Sequence, residues 1–430
     1  MRTLAEWLEF QESVHPRAIE LGLERVTEVA HRLGVAAPAF RVLTVGGTNG
    51  KGSVAAHADA LLRALGTRAG LFTSPHLVRY NERIRVMGAE AGDAELIEAF
   101  ERIEAARGTT TLTFFEYNTL AALVIFAARE VEIAVLEVGL GGRLDATNLL
   151  SADVAVVASV GLDHSDWLGE SLESIGREKA GIFRAGRPAI LGTADMPASV
   201  LAAIDALPAR ALIAGRDFTF ERAGERWSYR GPGLRLDDLA PPSLAGSIQY
   251  RNAATALTAV AALKTAAPLP GALERRTVNA ALADVHLAGR LQIVPGAVEW
   301  ILDIAHNEPA ARVLATHLRE RALPRTTGPA GRGRTLAVAG VLADKDAAGI
   351  AAALAPLIDH WIVCALPGPR GASAAALAAR LQLPRSHATL ADSVEAGCER
   401  ARALARPGDR VVVFGSFHTV GPALEWLRIY

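Results

Sequence analysis

Residues 42–54 read VLTVGGTNGKGSV, and this stretch decides how the N-terminal half of the chain is interpreted. An apolar run leads into four glycines within seven residues, and an alanine-rich segment follows. Strand, glycine loop and helix are the context of a nucleotide phosphate loop, in which backbone amides and the positive end of the helix dipole face the phosphates. The usual G-x-x-x-x-G-K-[ST] pattern is incomplete here, because Val45 replaces its first glycine and Gly52 replaces its metal-binding hydroxyl.

We predict that this loop binds the phosphates of ATP, through Gly47, Thr48, Asn49, Gly50, Lys51, Gly52 and Ser53. Lys51 would bring a mobile positive charge to the outer phosphates. The alternative is a tight turn between strand and helix with an exposed lysine. Because residue 52 has no hydroxyl, a metal ion bound to ATP must take its protein ligands from elsewhere in the chain.

Short apolar runs alternate with Ala/Leu-rich stretches along most of the chain. Three of these runs are EIAVLEVG (132–139), DVAVVASVG (153–161) and RPAILGT (187–193). Continuous apolar strands separated by helices indicate a parallel sheet buried on both faces. The sequence therefore predicts an α/β fold, with an N-terminal P-loop ATPase domain over residues 1–287. A second series, which begins with VEWILDIAH (298–306), predicts a smaller Rossmann-like α/β domain over residues 288–430.

Two segments break this alternation. Residues 213–247 mix aromatic, charged, Gly and Pro residues, which predicts antiparallel strands or loops at the edge of the first domain. Residues 326–335 read TTGPAGRGRT, which predicts a flexible surface loop in the second domain.

Composition narrows the class of protein. A chain of 430 residues exceeds what one core usually supports, and a net charge of -1 gives no general attraction to nucleic acid. Cys364 and Cys398 form no CxxC pair, which argues against a disulfide framework and a thiolate metal site. No apolar run approaches the ~18 residues of a membrane span. We expect a cytoplasmic protein without nucleic-acid or membrane partners.

Polar side chains follow several apolar runs. Glu137 lies near the end of one run, before a glycine turn. A carboxylate at the carboxyl end of a strand is suited to bind Mg²⁺, and we favour this role over the alternative of a solvated edge residue. Ser74 is either a metal-binding hydroxyl or part of a capping turn. Residues 159–170 are interpreted as a third strand end carrying Asp163 and His164, although a lone histidine is more often a structural hydrogen bonder.

The chain resembles the folylpolyglutamate synthase and dihydrofolate synthase family, relatives of the Mur ligases. Its motifs occur in the family's order: GTNGKGS (47–53), SPHLVRYNERIRV (74–86), GLGGRLDATN (139–148), GLDH (161–164) and EKAGI (178–182). The resemblance implies that Ser74, Glu137 and His164 bind magnesium. It also implies that Lys179 carries a carbamate, which would hold a second Mg²⁺ or orient an acyl phosphate; the alternative is an ordinary helix-surface lysine paired with Glu178.

Substrate and further nucleotide residues also come from the resemblance. The implied pterin-binding residues are Leu21, Gly22, Leu23, Thr113, Phe114, Phe115, Glu116, Leu144, Asp145 and Ala146. Phe114 and Phe115 are able to flank a flat heterocycle and Glu116 to accept its ring N–H groups, although paired phenylalanines are more often core. The implied ATP-binding residues of the C-terminal half are Asn252, Arg290, Asp303 and His306. Ile248 stands where the family usually has histidine, and Ile304 where it has glycine.

The resemblance implies an ATP-dependent amide ligase with ATP and two Mg²⁺ ions as cofactors. Its acceptor carboxylate would belong to dihydropteroate, to folates, or to both, and its amine would be that of L-glutamate. The expected catalytic residues are Lys51, Glu137, His164 and Lys179. The motifs are most similar to bacterial bifunctional members, so we expect both activities, in a monomer.

Alternatives are one activity alone, a Mur-type cell-wall ligase, or a non-catalytic P-loop switch. A cell-wall ligase would require a UDP-binding domain, for which the roughly 40 residues before the loop leave too little room.

Overall fold

The computed structural model describes residues 2–17, 19–266, 268–323 and 333–430. It divides into two compact units, one of residues 1–243 and 249–285 and the other of residues 244–248 and 286–430. The expected α/β class is confirmed in both units. Residues 326–332 of the expected surface loop lie outside the described residues.

The first unit is built on a sheet of eight strands among the described residues. These are β1 (Arg41–Gly46), β2 (Ala69–Phe72), β3 (Ile84–Val86), β4 (Ala89–Glu90), β5 (Ile133–Glu137), β6 (Val154–Val157), β7 (Pro188–Leu191) and β8 (Arg210–Ile213). The helices are α1 (Leu4–Val14), α2 (Glu24–Leu33), α3 (Lys51–Ala64), α4 (Asp93–Arg107), α5 (Phe114–Ala128), α6 (Ser165–Leu168), α7 (Leu172–Ala180), α8 (Ala198–Ala206), α9 (Ile248–Ala266) and α10 (Arg275–Ala283). Short 3₁₀ turns cover Tyr80–Arg83 and Ala146–Leu149.

The strand order of this sheet brings several loops together at one edge. The order is β4-β3-β2-β5-β1-β6-β7-β8, parallel from β2 to β8, with the antiparallel β3–β4 hairpin on one side. Val45 is opposite Glu137 and Gly46 is opposite Val157, so the central strands end at nearly the same level. In open α/β sheets, ligands bind at this carboxyl edge where the strand order reverses. The reversal here is at β1, which leads into the glycine loop.

Burial of apolar side chains explains why these strands are central. Every residue of β5 and β6 is buried, as expected for strands covered by helices on both faces. One core cluster packs Phe100, Leu120 and Phe126 under the N-terminal helices. A second cluster packs Val157, Ile182 and Leu191 on the side of α7 and α8.

A separate antiparallel sheet accounts for the break at residues 213–247. Its strands are β9 (Thr219–Ala223), β10 (Arg226–Gly231) and β11 (Leu234–Leu239), in the order β11-β10-β9. Trp227 and Tyr229 of β10 are fully buried, and the Tyr229 hydroxyl lies 2.8 Å from that of Thr258 on α9. The expectation of antiparallel strands in this segment is confirmed.

The second unit has its own parallel sheet. Its strands are β12 (Gln292–Val294), β13 (Glu299–Asp303), β14 (Thr335–Ala339), β15 (His360–Cys364), β16 (Ala388–Ala391) and β17 (Arg410–Phe414). They run in the order β12-β13-β17-β14-β15-β16, with β12 antiparallel. The helices are α11 (Glu308–Glu320), α12 (Ala347–Leu354), α13 (Ala374–Arg380), α14 (Val394–Leu404) and α15 (Phe417–Leu427), with 3₁₀ turns at Ala355–Leu357 and Arg385–His387. No described helix has both the length and the hydropathy needed to cross a bilayer.

Candidate active site

The glycine loop between β1 and α3 is held open by contacts to the chain after β6. The Thr48 N–H donates to the Ser159 carbonyl (2.8 Å), and the Thr48 hydroxyl donates to the Gly161 carbonyl (3.1 Å). The Asn49 N–H donates to the Ser159 hydroxyl (3.2 Å). These bonds fix the backbone that the sequence assigns to phosphate. Ser159 and Gly161 were not among the predicted site residues.

Two loop positions require glycine. At Gly47, with φ of 142°, an added Cβ would lie 3.1 Å from the backbone nitrogens of Ala158 and Ser159. At Gly50, with φ of 86°, it would lie 3.1 Å from Asn252 Oδ1. Real Cβ atoms seldom approach other atoms this closely, and positive φ strains other residues. The same contact places the predicted nucleotide residue Asn252 beside the loop.

The predicted cation of the loop, Lys51, is half-buried rather than exposed. Its Nζ donates to the Thr48 carbonyl (3.2 Å), so the side chain folds back over the loop. The alternative of a merely exposed lysine is therefore wrong. A lysine in this position is suited to contact the outer phosphates of a bound nucleotide.

Ser74 and Glu137 are brought together, as expected for neighbouring strand ends. Glu137 is the last residue of β5 and only 3% exposed, so the alternative of a solvated edge glutamate is wrong. Its Oε2 accepts the Ser74 N–H (3.0 Å). The carboxylate and the serine thus form one polar group at the edge of the sheet.

His164 is placed differently from the expectation. β6 ends at Val157, and the chain then bonds to Thr48 through Gly161. His164 caps the N-terminus of the short helix α6, so the interpretation of residues 159–170 as a strand end is wrong. His164 has φ of 54°, and its Nε2 lies 3.9 Å from Asp163 Oδ2. Hydrogen bonds between the segment after β6 and the phosphate loop, rather than the end of a strand, position this histidine.

No group of three or more His, Cys, Asp and Glu side chains among the described residues is arranged to hold a metal. Two of the four predicted ligands, Ser74 and Lys179, are of other residue types. The role of Ser74, Glu137, His164 and Lys179 in metal binding therefore stays a prediction.

Lys179 is buried, and it contacts the phosphate loop. It is 4% exposed, and its Nζ donates to the Gly47 carbonyl (3.0 Å). Glu178 instead pairs with Arg143 (2.9 Å), so the alternative of a surface lysine paired with Glu178 is wrong. Burial lowers the pKa of Lys179 to about 7, with a further decrease from the positive charge of Lys51 and opposing effects of Asp163 and Asp145. A large fraction of this amine is therefore neutral near pH 7.

The predicted pterin residues Leu144, Asp145 and Ala146 lie in the loop after β5. Asp145 is buried, and its Oδ1 accepts the Thr147 N–H (3.0 Å) while Oδ2 accepts the Leu140 N–H (2.8 Å). Burial raises the pKa of Asp145, and these hydrogen bonds oppose the rise. Asp145 therefore organises its own loop, a role that the sequence did not reveal. Leu144 is half-buried beside it.

The second predicted pterin segment forms the start of α5. Thr113 and Glu116 make a capping box, in which Glu116 Oε2 accepts the Thr113 N–H (2.7 Å). Arg25 Nη2 lies 3.2 Å from Glu116 Oε1 and Arg25 Nη1 lies 2.9 Å from Glu20 Oε1. The ion pair with Oε1 lacks hydrogen-bond geometry, so this buried oxygen has no hydrogen-bond donor among the described residues.

The same ion pairs connect α5 to the half-buried loop of Leu21, Gly22 and Leu23, because Glu20 precedes that loop. Phe114 and Phe115 are both half-buried. Phe115 packs 5.8 Å from the Phe72 ring and against Gly139, as a core residue would. The three pterin segments thus share the first unit, and binding by these residues stays a prediction.

The residues predicted in the second unit form a cluster of their own. Asp303 ends β13, and its two oxygens accept the N–H groups of Leu291 (2.8 Å) and Ala305 (2.9 Å). Burial raises the pKa of Asp303, whereas the adjacent Arg290 charge lowers it. Arg290 and His306 both lie against the Phe417 ring, with centroid distances of 5.5 and 6.5 Å. Phe417, which contacts both of these residues, was not among the predicted site residues.

Known proteins match both units. Residues 45–206 match the Mur ligase middle domain, and residues 289–417 match the Mur ligase, glutamate ligase domain. The dihydrofolate synthase/folylpolyglutamate synthase of Escherichia coli (strain K12) is 43% identical over 422 residues, covering 98% of this chain and 95% of that protein. The chain belongs to the dihydrofolate synthase/folylpolyglutamate synthase family.

Solved structures of this family superpose along nearly the whole chain. The E. coli protein in complex with DHPP and ADP has a TM-score of 0.91 and 43% identity, covering 99% of this chain and 98% of that one. A family structure with Mn, AMPPNP and L-glutamate bound has a TM-score of 0.90 and 41% identity, covering 100% and 99%. The two-unit architecture and the enzyme class, an ATP-dependent ligase, are therefore those of the dihydrofolate synthase/folylpolyglutamate synthase family.

Proposed function

We propose that this chain joins L-glutamate to dihydropteroate, which makes dihydrofolate, and to the γ-carboxylate of folates, which extends their glutamate tail. The observation that carries the proposal is the polar cluster of the first unit: the phosphate loop with Lys51, the buried Glu137 bonded to Ser74, and the buried Lys179 on the Gly47 carbonyl. Full-length relatives named for both activities support it.

The first step activates the acceptor carboxylate. One carboxylate oxygen attacks the γ-phosphorus of ATP, a P–O bond forms, and the bond to the leaving ADP oxygen breaks. Such transfers depend on positioning and charge neutralisation more than on a protein nucleophile. The amides of residues 47–53 would orient the phosphates, and Lys51 would balance charge on the γ-phosphoryl group.

The residues of this cluster fit a divalent cation. Glu137 is a buried carboxylate at a strand end, and its Oε2 accepts the backbone N–H of Ser74, the residue that carries the predicted hydroxyl ligand. Ser74, Glu137 and His164 would hold the ion, which agrees with oxygen-rich Mg²⁺ coordination. When bound, Mg²⁺ supplies positive charge that favours attack of one anion on another.

Carbamylation of Lys179 is part of the proposal. An amine of pKa about 7 is partly neutral, and the neutral nitrogen is the form that attacks CO₂. A C–N bond then forms and a proton is released, so a buried cation becomes an anion beside Lys51. Incubation with ¹³CO₂ should give a carbamate carbon NMR signal in the wild type that is absent from Lys179→Arg. An identical spectrum in the variant would contradict this assignment.

The second step forms the amide. The neutral α-amine of L-glutamate attacks the acyl carbon, a tetrahedral intermediate forms, and phosphate leaves as the nitrogen loses a proton. Water must be excluded while the acyl phosphate exists, since hydrolysis would waste ATP. The half-buried Phe114 and Phe115 would provide an apolar surface near the acceptor ring.

A purified-protein assay tests the function directly. Phosphate release from ATP should require both L-glutamate and an acceptor, and both dihydropteroate and a reduced folate should serve. Turnover with one acceptor alone would leave a single activity. Turnover that ignored both acceptors would contradict the proposal. We further propose that the protein is a cytoplasmic monomer. The free, buried thiols of Cys364 and Cys398 support a reducing compartment. Size-exclusion chromatography would test the oligomeric state.

A further inference from the structure

Arg83 is a buried cation without a carboxylate partner. It is 6% exposed, and it ends the 3₁₀ turn before β3. Its Nε donates to His76 Nδ1 (2.8 Å), a neutral acceptor. Within the part of the chain that the structure describes, no carboxylate oxygen lies within ion-pair distance of Arg83, and Nη1 and Nη2 donate no hydrogen bond. The two terminal nitrogens of the planar guanidinium fork, Nη1 and Nη2, therefore have no acceptor among the described residues.

The adjacent glutamate does not neutralise this charge directly. Glu82 accepts the N–H groups of Leu77 (2.9 Å), Val78 (2.7 Å) and Arg79 (2.7 Å), and so shapes the loop after Ser74. Burial lowers the pKa of Arg83, and the nearby Tyr80, Glu82 and Glu137 oppose this effect. A guanidinium nevertheless stays charged in proteins. Burying such a charge unpaired is costly, and buried charges in proteins are normally paired or bound to a ligand.

The position of Arg83 indicates which ligand group that is. Its guanidinium lies 5.4 Å from the ring centroid of Phe114, a predicted pterin residue at the start of α5. It is also close enough to Glu137, the predicted metal ligand, for their charges to interact. The fork is therefore near both a residue expected to bind the aromatic part of the acceptor and one expected to bind the metal. In the proposed reaction the reacting carboxylate must also be near both groups.

We propose that Arg83 binds the reacting carboxylate of the acyl acceptor through Nη1 and Nη2 and holds it for attack on the γ-phosphorus. This inference rests on the proposed function and names a residue for the same site. A planar guanidinium matches a carboxylate bidentately, which fixes both its position and its orientation. The fork remains on the second carboxylate oxygen when the first bonds to phosphorus, so it also stabilises the acyl phosphate.

The test compares dihydropteroate with its carboxamide, in which a neutral amide replaces the carboxylate. Dissociation constants are measured by titration calorimetry in the presence of MgADP. Wild type should prefer the carboxylate form by at least about tenfold, the usual effect of a charge-assisted pair. Arg83→Met should lose this preference while its carboxamide affinity stays within about twofold of wild type, and Arg83→Lys should retain part of it. Unchanged carboxamide affinity also shows that the variant is folded.

Arg85→Met is the control, since Arg85 lies two residues further along the chain, in β3, and pairs with Glu90 (3.1 Å). It should keep the wild-type preference. If Arg83→Met keeps the preference as well, or loses affinity for both compounds equally, the inference is wrong while the proposed function stands. Weakened AMPPNP binding with unchanged acceptor preference would also overturn it, by assigning Arg83 to the nucleotide. If wild type binds neither acceptor, the proposed function fails and the inference fails with it.

Discussion

Buried ionisable side chains distinguish structural from functional positions in the first unit. Asp145 uses both carboxylate oxygens for N–H groups of its own loop, so its burial is compensated locally. Lys179 and Arg83 are as deeply buried, yet their hydrogen bonds go to one neutral acceptor each, the Gly47 carbonyl and His76. Ionisable groups taken out of water with so little compensation are frequent at functional sites. This contrast favours a catalytic role for Lys179, and it indicates that the region around Arg83 is also part of the site.

Glu137→Gln should abolish Mg²⁺-dependent turnover, with a loss of at least about 100-fold, because the predicted metal ligand loses its charge. Glu132→Gln is the control, since Glu132 precedes the same strand at its opposite end and accepts the Arg68 N–H (2.7 Å). The measurement is phosphate release with dihydropteroate and L-glutamate. Near-normal activity of Glu137→Gln would remove this residue from the site.

His57 should make stability sensitive to acid. It is fully buried in α3, its Nδ1 donates to the Ser53 carbonyl (2.7 Å), and burial lowers its pKa to about 4. Between pH of about 6.5 and 4 the unfolded state therefore binds more protons than the folded state, so the free energy of unfolding falls as pH falls through this range. The loss is on the order of 3 kcal/mol, at about 1.4 kcal/mol per pKa unit.

Denaturant unfolding of wild type and His57→Gln across this pH range checks that effect. Glutamine keeps a donor for the Ser53 carbonyl but does not titrate, so the variant should lose less stability on acidification. Parallel pH profiles would show that His57 does not contribute.

The role of a residue could be predicted only where a local sequence pattern indicated it. The position of Glu137 followed from an acid after an apolar run, and the phosphate loop from its glycines and lysine. The burial of Lys179 did not, because its contact is with Gly47, 132 residues earlier in the chain. Nor did the open guanidinium of Arg83, since it depends on the neighbouring Glu82 accepting backbone N–H groups of its own loop.

At the scale of elements, hydrophobic runs placed the strands well, and loop geometry was the weak point. β5, β6 and β7 lie within the runs from which they were predicted. His164 was assigned to a strand end, but six residues separate it from β6, and Gly161 turns back to Thr48 between them. Such a closure depends on tertiary hydrogen bonds, which have no periodicity in the sequence.

The cap of α5 includes Glu116, which is also a predicted pterin-binding residue. Thr113→Ala removes the cap and should lower the free energy of unfolding by about 1 kcal/mol. Thr3→Ala removes the same type of capping box from α1, with Glu6 in place of Glu116, and should cost a similar amount. Only Thr113→Ala should also weaken dihydropteroate binding, because it releases Glu116 from its fixed position. Chemical denaturation and titration calorimetry measure the two effects, and equal binding in both variants would contradict the role of this helix start.

At the scale of the whole molecule, the alternation of apolar runs was enough to predict two α/β units, because each sheet is a buried parallel one. The course of the chain at the boundary was not predictable: residues 244–248 belong to the second unit, although the rest of α9 and α10 follow them in the first. The Mur-type cell-wall alternative gives way to the family match over 98% of the chain. The pterin residues predicted from sequence all fall in the first unit, which has a consequence for unfolding.

Each unit has its own core, so calorimetry of the free protein should show two transitions. Leu120 on α5 and Leu377 on α13 are fully buried in the first and second cores, and Leu→Ala at such sites costs about 2–5 kcal/mol. Leu120→Ala should lower one transition and Leu377→Ala the other. Dihydropteroate at about 100 times its Kd should then stabilise only the transition that Leu120→Ala lowers, by about 2.7 kcal/mol, because it binds the folded form of that unit. A single transition lowered by both variants would show that the units unfold together, and stabilisation of the Leu377 transition alone would place the pterin residues in the wrong unit.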